Sequence, residues 1–269
     1  MQLYNSQSRQ ETVEKLLEAL EADRRISGAL LVGSGAYGFK DAFSDIDLAV
    51  VTSEEQDALT VFRDWESVIR ELLPVLWGFT DIRGPETGLY AVILEDFLEI
   101  DISFQSLAAL SARTPNWKVI FDRAGKIQDV LRESWAEKTE ADIEATYTRR
   151  LDSIWHYVTH VAVSLKRGQL WRATHYLEEI RNRTIELEGL ICHCQTRHFR
   201  EVDQLPEERL SALERTFPAQ LTRDELWRAL YAATDCFFET AARVDGILGN
   251  RRSDTLREAM EQFLLYTKN

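Results

Sequence analysis

Two short, wholly apolar runs bracket a polar loop near the N-terminus, and they constrain the fold more tightly than any other feature of the chain. Ala29-Leu30-Leu31-Val32 leads into Gly33-Ser34, and Leu48-Ala49-Val50-Val51 follows Asp45-Ile46-Asp47. Runs this short, without polar alternation, predict buried strands over Ile26–Val32 and Ile46–Thr52. Asp45 and Asp47 then stand two positions apart at the mouth of the second strand. Their side chains share a face and can hold one or two divalent cations. Gly33 admits a ligand that a Cβ would block. Ser34 offers a hydroxyl and a backbone N–H to phosphate oxygens.

The period of the apolar pattern changes along the chain. Val13, Leu16, Leu17 and Leu20 predict a helix over 8–24, and Ser53 is the expected N-cap of another running to Leu73. Strands are expected at Val75–Ile82, Gly88–Leu94 and Phe97–Phe104. In the last of these Leu98, Ile100, Ile102 and Phe104 alternate with Glu99, Asp101 and Ser103, the mark of a strand with one wet face. Beyond about Lys126 the pattern is helical, with helices expected near 126–136, 139–167, 170–196, 206–215, 222–247 and 253–267. The predicted class is α+β: a mixed sheet with flanking helices over 1–125, then an all-α bundle over 126–269.

Charge narrows the partners. The first 125 residues hold 21 acidic against 11 basic side chains, so about −10 of the total charge of −13 lies there. A nucleic-acid binder needs a basic face, and none is evident. An acidic cleft attracts metal ions and amine-bearing small molecules; simple solubility accounts for such a charge equally well. No apolar stretch approaches the length of a membrane span. The first residues lack the basic and apolar regions of a secretory leader, and the cysteines number only 3, so a cytoplasmic protein with reduced thiols is expected.

Asp101 lies on the wet face of its strand. If that strand neighbours the one bearing Asp45 and Asp47, three carboxylates converge. Each would then be harder to ionise, and a hard cation such as Mg²⁺ would relieve the repulsion while sharing its ligands with a phosphate. A two-ion arrangement could stabilise the attacking and leaving oxygens of an in-line displacement. Asp101 is also a candidate general base; Glu99 and Ser103 share its face and could replace or assist it, and Glu95 is a weaker rival.

Gly33-Ser34-x-Ala36-x-Gly38 followed by Ser44-Asp45-x-Asp47 resembles the signature of the nucleotidyltransferase superfamily with the polymerase-beta-like fold. The resemblance implies that Gly33 and Ser34 bind the phosphates of ATP or another nucleoside triphosphate. It also implies that Asp45 and Asp47 ligate Mg²⁺ and that Asp101 completes the acidic set. Ser44 is counted with the nucleotide-binding candidates. Many members carry an arginine in this loop where this chain has Gly35 and Tyr37. Lys40 is the loop's only base; it is a nucleotide-binding candidate, although a solvated lysine is the favoured reading.

In the second half, Trp155 to Ala162, the Lys166-Arg167-Gly168 turn and the segment Trp171 to Arg181 resemble the C-terminal domain of aminoglycoside 6-adenylyltransferases, the streptomycin-modifying group. The resemblance implies a bundle that closes over the nucleotide site and supplies the acceptor pocket. Trp155, Trp171, His175 and Glu178 lead the substrate-binding candidates, with Tyr157, His160, Tyr176 and Glu179 behind them. The competing reading makes Trp155 and Trp171 bundle core and Glu178 an exposed helix residue. Trp227, Tyr231, Phe237 and Phe238 are expected in the core. Cys192-His193-Cys194 has the wrong spacing for zinc on a helix.

The expected activity is Mg²⁺-dependent transfer of a nucleoside monophosphate, AMP from ATP foremost, to a hydroxyl of a small molecule, with pyrophosphate leaving. A cationic, aminoglycoside-like acceptor is favoured, which would connect the chain to antibiotic resistance. Nucleotidylation of a protein side chain and a non-catalytic nucleotide sensor are the alternatives.

Overall fold

The computed structural model describes residues 3–39, 41, 43–139 and 143–268. The chain divides into two compact units, Met1–Glu140 and Ala141–Asn269.

The first unit is built on six strands: β1 (Ile26–Val32), β2 (Ile46–Thr52), β3 (Val75–Gly84), β4 (Thr87–Leu94), β5 (Glu99–Gln105) and β6 (Trp117–Asp122). They lie in the order β3-β4-β5-β2-β1-β6. The β2–β5 pair is parallel and the other pairs are antiparallel. The sheet is therefore mixed, as the α+β reading required.

The apolar runs of β1 and β2 are continuous because both faces of these strands are dry. Ala29, Leu31, Leu48 and Val50 pack into a cluster with Leu16 and Leu20 of α1 (Ser6–Ala22) and Phe62 and Trp65 of α2 (Ala58–Leu72). Leu30, Ala49 and Val51 face the other way, onto Ile127 and Leu131 of α3 (Ile127–Thr139). That contact carries the first unit to Glu140, past the boundary expected near residue 125. The helical period begins one helix before the second unit does.

Asn5 caps α1 by accepting from the backbone N–H of Gln7 and Ser8 at 2.9 and 3.0 Å. Asp57, not Ser53, caps α2, accepting from Thr60 N at 2.9 Å. The Ser53 hydroxyl is engaged elsewhere: it donates to the carbonyl of Arg25 at 2.8 Å. Strand β6 was not expected. It pairs along β1 at the edge of the sheet with neither face fully buried, so its sequence lacks a clean alternation.

The second unit comprises α4 (Ile143–Lys166), α5 (Leu170–Cys192), α6 (Glu207–Glu214), α7 (Arg223–Leu248) and α8 (Arg252–Lys268). Its core interleaves Ile154, Val158 and Val161 of α4, Leu177 and Ile180 of α5, and Leu230, Phe237 and Val244 of α7. Gly168, at φ +70°, makes the α4–α5 turn in a conformation glycine adopts freely. Helix α5 stops at Cys192, short of the expected 196. The chain folds back there: Cys194 N donates to Gly189 O at 2.9 Å, and Thr196 sits where a Cβ at Gly189 would go. The Cys-His-Cys run is thus a helix end rather than a helix interior. No described helix is long and apolar enough to cross a membrane.

Candidate active site

Strand β1 ends in a single 3-10 turn, Gly33–Tyr37. Gly33 is at φ +63°, and a Cβ there would lie 2.8 Å from Asp47 Oδ2. Glycine therefore serves two ends: it turns the chain, and it lets a carboxylate approach the turn's backbone. The next residue, Ser34, has a buried hydroxyl oxygen with no hydrogen-bond partner among the described residues. A buried polar atom left unpaired costs on the order of 1–3 kcal/mol, so such atoms call for an explanation.

Strands β2 and β5 run parallel with Ile46 opposite Ile100, Asp47 opposite Asp101 and Leu48 opposite Ile102. The isoleucines and Leu48 enter the core on one face. The period of two then puts Asp47 and Asp101 side by side on the other. Burial pushes the Asp101 carboxyl above the ordinary carboxylate range; Glu99 and Asp45 push the same way, and Arg83 opposes them. Asp101 Oδ1 is buried without a hydrogen-bond partner among the described residues. Of its rivals, Ser103 spends its hydroxyl on the carbonyl of Leu48 at 3.3 Å, and Glu99 and Glu95 are exposed.

Asp45, Asp47 and Asp101 are close enough in the fold to interact, yet among the described residues no three acidic, histidine or cysteine side chains are grouped tightly enough to hold a metal ion as they stand. The donor set is all oxygen, and the unpaired Asp101 Oδ1 is an available hard ligand. These residues fit a hard divalent cation such as Mg²⁺ better than a softer metal.

The loop from Gly33 to Asp45 is pinned from α1 by a residue that the sequence did not single out. Arg9 is only 3% exposed. Its Nη1 donates to the carbonyls of Asp41 and Ser44 at 3.0 and 2.9 Å, and its guanidinium lies 4.2 Å from the Phe39 ring centroid. Ser44 contributes through that carbonyl, while its hydroxyl donates to Asp41 Oδ1 at 3.2 Å. Lys40 lies outside the described residues. The signal for Arg9 was present: it occupies the same helical stripe as Val13, Leu16 and Leu20.

The candidates of the second unit are spread out. Trp155 and Trp171 are 47% and 80% exposed, which overturns the bundle-core reading of both. They fall off the buried stripes Leu151-Ile154-Val158 and Ala173-Leu177-Ile180 by one and two positions, roughly 100° and 200° of helix rotation. His175 and Glu178 are exposed as well. Trp155 meets the edge of His156, and His160, Tyr176 and His175 continue a row of ring contacts between α4 and α5. Glu178 lines a separate cavity of about 300 Å³ with Arg181, Asn182 and Phe217. Trp227, Phe237 and Phe238 are core, and Tyr231 is half-buried against it.

A family model described as streptomycin adenylyltransferase matches residues 6–267. Among solved structures, an aminoglycoside 6-adenyltransferase from Bacillus subtilis resembles this chain at 14% identity and a TM-score of 0.44, over 97% of this chain and 98% of that one. No curated protein sequence matches.

Proposed function

The chain belongs to the streptomycin adenylyltransferase family and is a nucleotidyltransferase, and from that membership we propose that it carries AMP from ATP to a hydroxyl of a cationic, aminoglycoside-like small molecule. The observation that carries this reading is the side-by-side pairing of Asp47 with Asp101, next to a turn whose Gly33 leaves room for Asp47.

Ser34 and the backbone of its turn hold phosphate oxygens, which gives the buried hydroxyl a partner. Asp45, Asp47 and Asp101 would hold a divalent cation, which would supply charge neutralisation to the triphosphate. Asp101 accepts the acceptor's hydroxyl proton, from its place beside Asp47 with one carboxyl oxygen buried and unpaired among the described residues. The acceptor oxygen bonds to the α-phosphorus, the bond from that phosphorus to the bridging oxygen breaks, and pyrophosphate leaves. Arg9 acts at one remove, by fixing the loop that presents Ser44 and Asp45.

The test is mass spectrometry of a reaction containing the intact chain, ATP, Mg²⁺ and a panel of aminoglycosides. The expected result is one nucleoside monophosphate added per acceptor molecule with equimolar pyrophosphate. Release of pyrophosphate with the added mass on protein, or no release with any acceptor, would overturn the proposal.

A further inference from the structure

Strand β3 is an edge strand, and its outer half displays two aromatic side chains to solvent. Trp77 is 74% exposed and Phe79 61%. They are two positions apart and share a face. The register shows which face it is. Phe79 pairs with Ala91, Ala91 with Asp101 and Asp101 with Asp47. Trp77 pairs with Ile93, and Ile93 with Glu99. Two parallel rows thus cross the sheet, each beginning at an exposed aromatic ring and ending at a carboxylate. Strands about 4.8 Å apart put Phe79 about 10 Å from Asp101, roughly the width of one sugar-sized ring with its substituents.

We propose that Trp77 and Phe79 form the platform on which a hydroxylated, amine-bearing ring of the acceptor stacks, with its cationic group toward Glu99. This rests on the nucleotidyl-transfer reading above. The apolar face of such a ring lies on aromatic surface, and a cation near Trp77 gains from the ring quadrupole.

The strand order argues for the acceptor over the nucleotide. Gly33 and Ser34 close β1, on one side of the Asp47–Asp101 row, and β3 lies on the other. An in-line displacement sets the attacking oxygen opposite the leaving group. With the triphosphate gripped from the β1 side, the acceptor comes from the side of β5, β4 and β3. A second copy of this chain fits the edge less well. Register shifts interrupt β3 at Val75/Trp77 and Ile82/Gly84, and the paired charges of Asp81 and Arg83 stand between, both devices that discourage edge-to-edge pairing.

The experiment titrates streptomycin and, separately, ATP with Mg²⁺ into the intact chain and its Trp77→Ala, Phe79→Ala and Trp77→Phe variants, with elution volume recorded for each. Both aromatics are exposed, so the alanine variants leave no cavity in the core. The expected result is a streptomycin Kd raised about tenfold or more in each alanine variant, an ATP Kd within about twofold of the unaltered chain, recovery in Trp77→Phe, and unchanged elution. An unchanged streptomycin Kd, no streptomycin binding to the unaltered chain, an equal loss of ATP affinity, or a shift of a dimer to monomer would each overturn the platform. The readout is binding, so a chain that binds streptomycin through Trp77 but releases no pyrophosphate would count against the reaction and not against the platform.

Discussion

A methyl group at Gly33 would come within 2.8 Å of Asp47 Oδ2. The glycine that turns the loop is therefore also the space into which the carboxylate fits. Gly33→Ala would force either the turn, at φ +63°, or Asp47 to move. We expect a stability loss of about 1–2 kcal/mol from the left-handed backbone alone. Turnover should fall much further, by about a hundredfold, because Asp47 is displaced. A thermal melt and a pyrophosphate-release assay on the same preparation separate the two effects; normal turnover in a folded variant would show that Asp47 does not need that space.

Arg9 ties α1 to the loop through two carbonyls. Arg9→Met keeps much of the stem and removes both donors. These hydrogen bonds from a charged donor are part-buried, so their loss costs about 1–2 kcal/mol. The expected kinetic mark is a raised KM for ATP with a smaller change in kcat, since the loop is loosened rather than the chemistry removed. An unchanged KM for ATP would contradict a positioning role for Arg9.

Asp101 leads to a pH dependence of definite sign. Its carboxyl is raised above the ordinary range, chiefly by burial. Near neutral pH it is ionised in both folded and unfolded chains, and the folded state bears the cost of burying that charge. As pH falls through the raised folded value, the folded chain takes up the proton first and the cost is relieved. Asp101→Asn should therefore raise the Tm in chelator at pH 7, by a few degrees at most because solvent screens this half-buried group, while abolishing turnover. The gain over the unaltered chain should shrink toward pH 4. Melts across that range check it, and a variant less stable at pH 7 would contradict it.

Glu188 on α5 is fully buried and accepts from Arg209 at 2.8 Å, Arg243 at 2.6 Å and Thr240 at 2.6 Å. Glu188→Ala strands Arg209, itself 5% exposed, without its main counter-charge. A loss of about 3–5 kcal/mol is expected, read as a lower urea midpoint. A midpoint unchanged within error would mean that this network contributes little.

The sheet was legible where burial imposes a pattern. Strands β1 and β2 are dry on both faces, and their unbroken apolar runs marked both ends correctly. The alternation in β5 marked the polar face that carries Asp101, and the register set that residue beside Asp47; the burial of its Oδ1 there was not legible in the alternation. Strand β6 has no fully buried face and left no period to read. Arg9 was passed over because charge suggests solvent, although its place on an apolar stripe argued otherwise. Residue type leaves Trp155 and Trp171 open to an acceptor pocket or to the bundle core, and helix phase decides against the core. Trp77 and Phe79 stood inside a correctly expected strand. Their exposure depends on β3 being at the edge of the sheet, which no local pattern reveals.

The most direct test concerns Asp47. In Asp47→Asn the shape and the hydrogen-bonding capacity are nearly kept while the charge that would hold a divalent cation is lost. With ATP, Mg²⁺ and streptomycin, kcat/KM should fall by about a thousandfold or more, with circular dichroism and Tm close to those of the unaltered chain. Full activity in a folded Asp47→Asn protein would contradict the account at its root.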